Sequence, residues 1–132
     1  MNVYRWGLAA ALLLATVPAA QAQTEAAPKP TPCFSIRDWQ GWKADGDQTL
    51  YLKVRMHDIY RVDLADKESF LNAPNMHLIT KSYGSDMICN AIDLDLKIAD
   101  NVGPQFATRL FVKSITKLTP EEAAALPDKV KP

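Results

Sequence analysis

The chain has 132 residues and carries 15 basic and 15 acidic side chains. A chain of this length supports a single domain with a modest hydrophobic core. The lack of net positive charge argues against nucleic acid or an anionic membrane surface as a partner.

The first 22 residues have the pattern of a cleavable secretory signal. Arg5 is the only charged residue before Glu25, an apolar run covers residues 7–20, and residues 20–22 read AQA. These are the parts of a signal peptide, so we expect cleavage after Ala22 and a periplasmic or secreted location. The apolar run is short for a membrane span, so we expect no stable membrane insertion of the mature chain. An uncleaved anchor is the alternative.

The mature chain divides into a spacer, a domain and a tail. Residues 23–32 are rich in Pro and Ala, and we expect them to be disordered or extended. The folded domain is predicted to cover residues 33–126, and residues 127–132 form a short tail.

Cys33 and Cys89 are the only cysteines. In an exported chain a pair of cysteines indicates a disulfide. In the chain-entropy model, closing the loop between them stabilises the folded state by roughly 4 kcal/mol. A metal pair and a redox dithiol are the rival interpretations. The two thiols lack the C-x-x-C spacing, and no histidine lies near either in sequence, so the structural disulfide is favoured.

Two alternating segments, residues 49–56 and 59–64, predict a β-hairpin with one apolar face. The apolar faces of the two strands lie on the same side of the hairpin in the register that leaves a three-residue loop, residues 57–59. That register sets Lys53 opposite Asp63 on the solvent face, which is a favourable pair. The expected pairs on the apolar face are Met56 with Tyr60, Val54 with Val62, and Leu52 with Leu64.

The middle of the chain predicts a short helix followed by two strands. Residues 66–72 should form the helix, with Asp66 as its N-cap and Pro74 just beyond its end. Strands are expected over residues 76–82 and 87–98, with a turn at residues 83–86. In the second strand one face carries Ile92, Leu94, Leu96 and Ile98, and the other carries Asp93, Asp95 and Lys97.

The last part of the chain predicts a loop at residues 99–105, a strand over residues 110–118 and a helix. Imperfect alternation in the strand suggests a bulge near Ser114. The helix start is well specified, because Thr119 can cap it, Pro120 suits its first position and Glu122 completes a capping box.

This order of elements predicts a mainly β fold with short helices (α+β). The favoured architecture is a small, partly open antiparallel β-barrel, OB-like, with a C-terminal helix added. An antiparallel sheet with helices on one face is the alternative.

Several short motifs between residues 33 and 126 point to one protein family. They are Cys33-Phe34, Leu50-Tyr51-Leu52, Tyr60-Arg61-Val62-Asp63-Leu64, Ile88-Cys89 with Ile92-Asp93, and residues 115–122. On these motifs the chain resembles an uncharacterised family of small exported proteobacterial proteins, known as a domain of unknown function. The resemblance implies export and a disulfide, and it implies no activity.

Few residues suggest chemistry. The only histidines are His57 and His77, and neither accompanies a nucleophile motif, so we expect no catalytic residue and no cofactor. His57 with Asp58, and Asp93 with Asp95, are weak candidates for a metal site with oxygen ligands. The same residues fit a solvated turn and a solvated strand face, so no metal is predicted.

Arg37, Trp39 and Trp42 are the candidate contact residues for a ligand or partner. On a regular strand the two tryptophans would face opposite sides, whereas a turn or bulge at Gly41 would let them converge. Alternatively, at least one tryptophan belongs to the core.

The favoured function is a non-enzymatic binding or interaction module of the bacterial cell envelope, with an envelope protein or a glycan as its partner. A small envelope enzyme or metal-dependent factor, using the His57/Asp58 and Asp93/Asp95 groups, is the alternative.

Overall fold

The computed structural model describes residues 32–81, 85–103 and 106–132. The expected signal sequence and the spacer up to residue 31 lie outside the described residues, as do residues 83 and 84 of the expected turn at residues 83–86. No helix within the described ranges is long and apolar enough to cross a membrane.

The described residues form mainly β structure, as predicted, with one α-helix, α1 (Pro120–Ala125). The described ranges contain single-turn 3-10 helices at Ile36–Asp38, Ala91–Asp93 and Asp128–Val130. The strands are β1 (Phe34–Ser35), β2 (Trp39–Asp45), β3 (Thr49–Val54), β4 (Asp58–Leu64), β5 (His77–Lys81), β6 (Met87–Ile88), β7 (Asp95–Ala99), β8 (Thr108–Leu110) and β9 (Val112–Lys117).

These strands pair in three antiparallel sheets. The largest has the order β2-β3-β4-β9, a second has the order β5-β7-β8, and β1 pairs with β6. Within the described residues no barrel closes, so the structure does not support the expected partly open, OB-like barrel. The physical reason is that two segments expected to be single strands are interrupted, and each supplies strands to two sheets.

The first interruption lies in residues 87–98. β6 ends at Ile88, and the 3-10 helix Ala91–Asp93 separates it from β7. The Asp93 carboxylate causes this break, because it accepts hydrogen bonds from the backbone N–H groups of Cys89 and Asn90 at 3.0 and 2.9 Å. Ile92, expected on the apolar face, is instead 91% exposed.

The second interruption lies at Phe111, which separates β8 from β9. Beyond it the expected bulge near Ser114 is confirmed. Asp63 of β4 pairs with Ser114, but the next residue of β4, Leu64, pairs with Val112, which leaves one extra residue in β9.

The β3–β4 hairpin has the predicted faces but a different register. Its turn covers residues 55–57, and Arg55 adopts a φ of 55°. Leu52 pairs with Tyr60, four positions along β4 from its predicted partner Leu64. Because the shift is even, the buried side of each strand is unchanged.

Contacts made by the turn explain this register. Arg55 donates a backbone hydrogen bond of 2.7 Å to the Asp38 carbonyl and forms an ion pair of 2.9 Å with its carboxylate. Met56 therefore lies in the turn, 71% exposed, and not in the strand. The expected Lys53–Asp63 pair is also wrong, since Asp63 lies opposite Thr49.

The helix expected over residues 66–72 is absent from the structure, in which this described segment forms turns. The Glu68 N–H donates to the Asp47 carbonyl at 2.7 Å, and the Asn72 side chain donates to the Gly46 carbonyl at 2.5 Å. These bonds attach the segment to the β2–β3 turn. Leu71, which belongs to this segment, is buried in the core.

The C-terminal helix begins as predicted. The Thr119 hydroxyl accepts the Glu122 N–H at 3.2 Å, and the Glu122 carboxylate accepts the Thr119 N–H at 2.8 Å. Pro120 opens α1, which buries none of its residues. Beyond Leu126, where the sequence analysis ends the domain, Val130 is 2% exposed and packs into the protein.

The predicted disulfide between Cys33 and Cys89 is confirmed. It joins the ends of β1 and β6, directly beside the Phe34–Ile88 pair. Both of these side chains are buried, and the Phe34 ring lies 4.5 Å from that of Tyr60. The disulfide therefore holds two short strands against the core.

Tyr60 connects this end of the core to the start of the described chain. Its hydroxyl donates to the Pro32 carbonyl at 3.1 Å, and burial raises the pKa of that hydroxyl. The rest of the core is almost entirely aliphatic and comes from all three sheets.

Candidate functional site

A bulge in β2 places Trp39 and Trp42 on the same side of the large sheet. Trp39 lies opposite Val54 and Trp42 opposite Leu52, and the register shifts by one residue between Trp39 and Gly41. Directly opposed residues share a face, so both indoles lie on the core side. Both are half-buried and pack against the core.

The two indoles differ in what else they contact. The Trp39 Nε1–H donates to the Gly41 carbonyl at 2.7 Å, which ties this ring to its own strand. Trp42 instead lines a surface groove of about 320 Å³, here named the Trp42 groove. Its walls are formed chiefly by Trp42, Lys43, Leu71, Asn72, Met76 and Lys129.

The Trp42 groove runs along the outer edge of β2. Three successive residues of this strand, 42–44, line it, and successive side chains of a strand point to opposite faces. Among the described strands β2 pairs only with β3, so its other edge is the one beside the groove.

Hydrogen bonds and buried side chains fix the opposite walls of the groove. Leu71 is 2% exposed, and the adjacent Asn72 is bonded to Gly46. On the other side the residue after Lys129, Val130, is buried. The ionisable side chains that line the groove are Lys43 and Lys129, so its charge is positive.

Arg37 lies apart from this groove. Its side chain is 81% exposed and forms an ion pair of 2.6 Å with Asp86. Of the three candidate contact residues, Trp42 alone lines the groove, whereas Trp39 lies in the same strand and Arg37 in the preceding 3-10 helix.

The weak metal candidates are held in structural contacts. His57 is exposed in the hairpin turn, and Asp58 forms an ion pair of 2.8 Å with Lys117. Asp93 caps the 3-10 helix, and Asp95 is buried beside Arg109 at 3.2 Å. Over the described ranges no group of three His, Cys, Asp or Glu side chains could hold a metal ion.

Sequence reasoning missed a polar network around Asp63. Its carboxylate accepts hydrogen bonds from Thr49 at 3.0 Å, Arg61 at 2.9 Å and Ser114 at 3.3 Å. The bond to Asp63 raises the pKa of Arg61. Arg61 lies two residues from Asp63 on the same strand, but only the pairing of β4 with β3 and β9 brings Thr49 and Ser114 to Asp63.

Comparisons of the chain with protein-family models, curated proteins and solved structures find no match.

The packing of the two indoles gives a stability prediction. Trp39→Ala should destabilise the protein by about 3 kcal/mol and Trp42→Ala by about 2 kcal/mol, because Trp39 loses a hydrogen bond as well as packing. Urea unfolding of the two variants measures the difference. Equal losses would mean that the Trp39–Gly41 bond contributes nothing to stability.

Proposed function

We propose that this chain is a non-enzymatic interaction module of the bacterial cell envelope. The observation that carries the proposal is the half-buried Trp42 ring at the edge of a groove with fixed walls. Aromatic rings that are already ordered in the free protein contribute most to binding, since little conformational freedom is lost on contact.

Three features support the envelope location. The Cys33–Cys89 disulfide fits an oxidising compartment. Residues 1–22 have the composition of a cleavable signal, and the sequence motifs resemble a family of small exported proteobacterial proteins. We include export, cleavage after Ala22 and membership of that family in the proposal.

The charge of the groove indicates the kind of partner. Lys43 and Lys129 favour an acidic ligand, and the Asn72 amide adds a polar group to the wall. We propose an acidic segment of another envelope protein as the occupant. A glycan stacked on the Trp42 ring is the other ligand class and is distinguished by the experiment below.

The alternative function, an enzyme or metal-dependent factor, gains no support from the geometry. It would use His57 and Asp58 together with Asp93 and Asp95, but three of these four residues are held in ion pairs or a helix cap.

Site-specific photo-crosslinking in cells tests the proposed function. A photo-reactive amino acid at position 129 should give a protein adduct, because Lys129 lines the groove. The matched position is 116, where Thr116 is exposed on β9 at the opposite side of the large sheet. Adding Trp42→Ala to the position-129 variant should reduce the adduct by about tenfold.

A protein adduct at position 129 alone, lost with Trp42→Ala, supports the proposal. Equal adducts at positions 129 and 116, or none at either, contradict it. An adduct that glycosidases remove, and proteases do not, replaces the protein partner with a glycan.

A further inference from the structure

Two exposed apolar side chains, Ile92 and Phe111, border one small cleft that shares no lining residue with the Trp42 groove. The cleft lies between the 3-10 helix Ala91–Asp93 and the β8–β9 junction, and its volume is about 180 Å³. Ile92 is 91% exposed and Phe111 is 56% exposed. Clustered apolar side chains at a surface mark sites of contact.

Hydrogen bonds hold Ile92 outward. The Asp93 carboxylate binds the N–H groups of Cys89 and Asn90, and the following residue, Leu94, is 4% exposed. The disulfide attaches the same segment to β1. The solvent exposure of Ile92 is therefore a property of an ordered turn.

Arg109 is fixed beside these apolar groups from two directions. Its Nε lies 3.2 Å from the Asp95 carboxylate, whose side chain is only 6% exposed. Its guanidinium carbon lies 5.6 Å from the centre of the Phe111 ring. A guanidinium held in this way is ordered before a ligand arrives, so binding costs less conformational entropy.

The exposed charge at the cleft is that of Arg109, which suits an anionic ligand. The Arg109 side chain is 61% exposed, whereas its counter-ion Asp95 is buried beneath it. The N–H donors of Arg109 that do not face Asp95 suit a carboxylate, which accepts two parallel hydrogen bonds from a guanidinium. Ile92 and Phe111 then contact an apolar group attached to that carboxylate.

The volume of the cleft limits the size of this ligand. Pockets for drug-sized molecules have volumes of about 300–1,000 Å³, so a cleft of about 180 Å³ suits a single residue. We propose that it binds the C-terminal residue of a partner protein, an aliphatic residue with a free carboxylate. Capture of a chain terminus is a recurring mode of peptide recognition. This site is separate from the Trp42 groove.

An NMR titration tests the proposal on ¹⁵N-labelled protein with its disulfide intact. The probe is N-acetyl-alanyl-leucine, with its C-terminal amide as the control. The free acid should shift the amide signals of Ile92, Arg109 and Phe111 in a saturable way. The amide should bind about tenfold more weakly, because it lacks the charged acceptor.

Three variants separate the two halves of the site. Ile92→Ser should weaken binding about fivefold, whereas Val102→Ser, a matched change at an exposed site outside the cleft, should leave it unchanged. Both should keep the wild-type melting temperature. Arg109→Gln should bind the acid and the amide equally. If it fails to fold, Arg109→Lys takes its place and should reduce the preference for the acid.

Three results would overturn the proposal. The first is the absence of saturable shifts at the cleft at millimolar peptide. The second is equal binding of the acid and the amide by the wild-type protein, which would remove the role of Arg109. The third is binding of octanoate about tenfold more tightly than the peptide, which would make a fatty acid the ligand.

Discussion

Val62→Asp is expected to remove a large share of the stability of the domain. Val62 is 0% exposed in the centre of β4, between Leu50 of β3 and Ile115 of β9. A carboxylate there would be buried without a partner, at a cost of about 4 kcal/mol or more. Small domains have a total stability of about 5–15 kcal/mol, so urea unfolding followed by circular dichroism should show a much lower midpoint than for the wild-type protein.

The neighbouring change Asp63→Val is the control for this result. Asp63 lies on the other face of the same strand, and its side chain is 29% exposed. Its removal costs the hydrogen bonds from Thr49, Arg61 and Ser114, whose donors can turn to water, so we expect about 1–2 kcal/mol. Equal losses from the two variants would contradict the assignment of faces in β4.

Replacing both cysteines, Cys33→Ser with Cys89→Ser, should lower the free energy of unfolding by roughly 4 kcal/mol. The bond joins residues 56 positions apart, so its loss gives the unfolded chain much more freedom. β1 and β6 have only two residues each, and such a pair is marginal without further support. Phe34 and Ile88 should therefore leave the core first.

Urea unfolding of the double variant measures this loss. The comparison is the oxidised wild-type protein, which should show no free thiol when denatured without reductant. Cys33 is exposed and Cys89 is half-buried, so the serines themselves leave little empty space. A loss below about 1 kcal/mol would mean that the bond barely constrains the unfolded chain.

Features set by neighbouring residues could be read from the sequence. Alternation gave the correct buried sides of β3 and β4, since the period of a strand is fixed by its backbone. The capping box of Thr119 and Glu122 placed the start of α1. The imperfect pattern around Ser114 marked a real bulge.

Features set by distant contacts could not be read in this way. The register of the hairpin depends on the contact between Arg55 and Asp38, which lie 17 residues apart. The segment at residues 66–72 resembles a helix locally, but its bonds to the β2–β3 turn favour another conformation. Asp93 has a strand pattern around it and acts instead as a cap.

The candidate site shows the same division. Trp42 stood out as an aromatic residue beside a glycine, and the bulge in β2 was one of two alternatives weighed. Asn72 and Lys129 come from remote parts of the chain and meet Trp42 only after folding. Arg109 and Phe111 were not predicted as site residues, because their partners, Asp95 and Ile92, come from other elements.

The position of β9 has a consequence for the newly made chain. It is the last described strand to be synthesised, yet it pairs with β4. Asp63 of β4 therefore gains its partner Ser114 only when synthesis has advanced by 51 residues. Until then one side of β4 presents unpaired N–H and C=O groups, and such edges attach to other chains. A chain whose synthesis has not reached β9 therefore exposes a strand edge that can aggregate. Correct folding requires that this edge be covered until residues 112–117 have been synthesised.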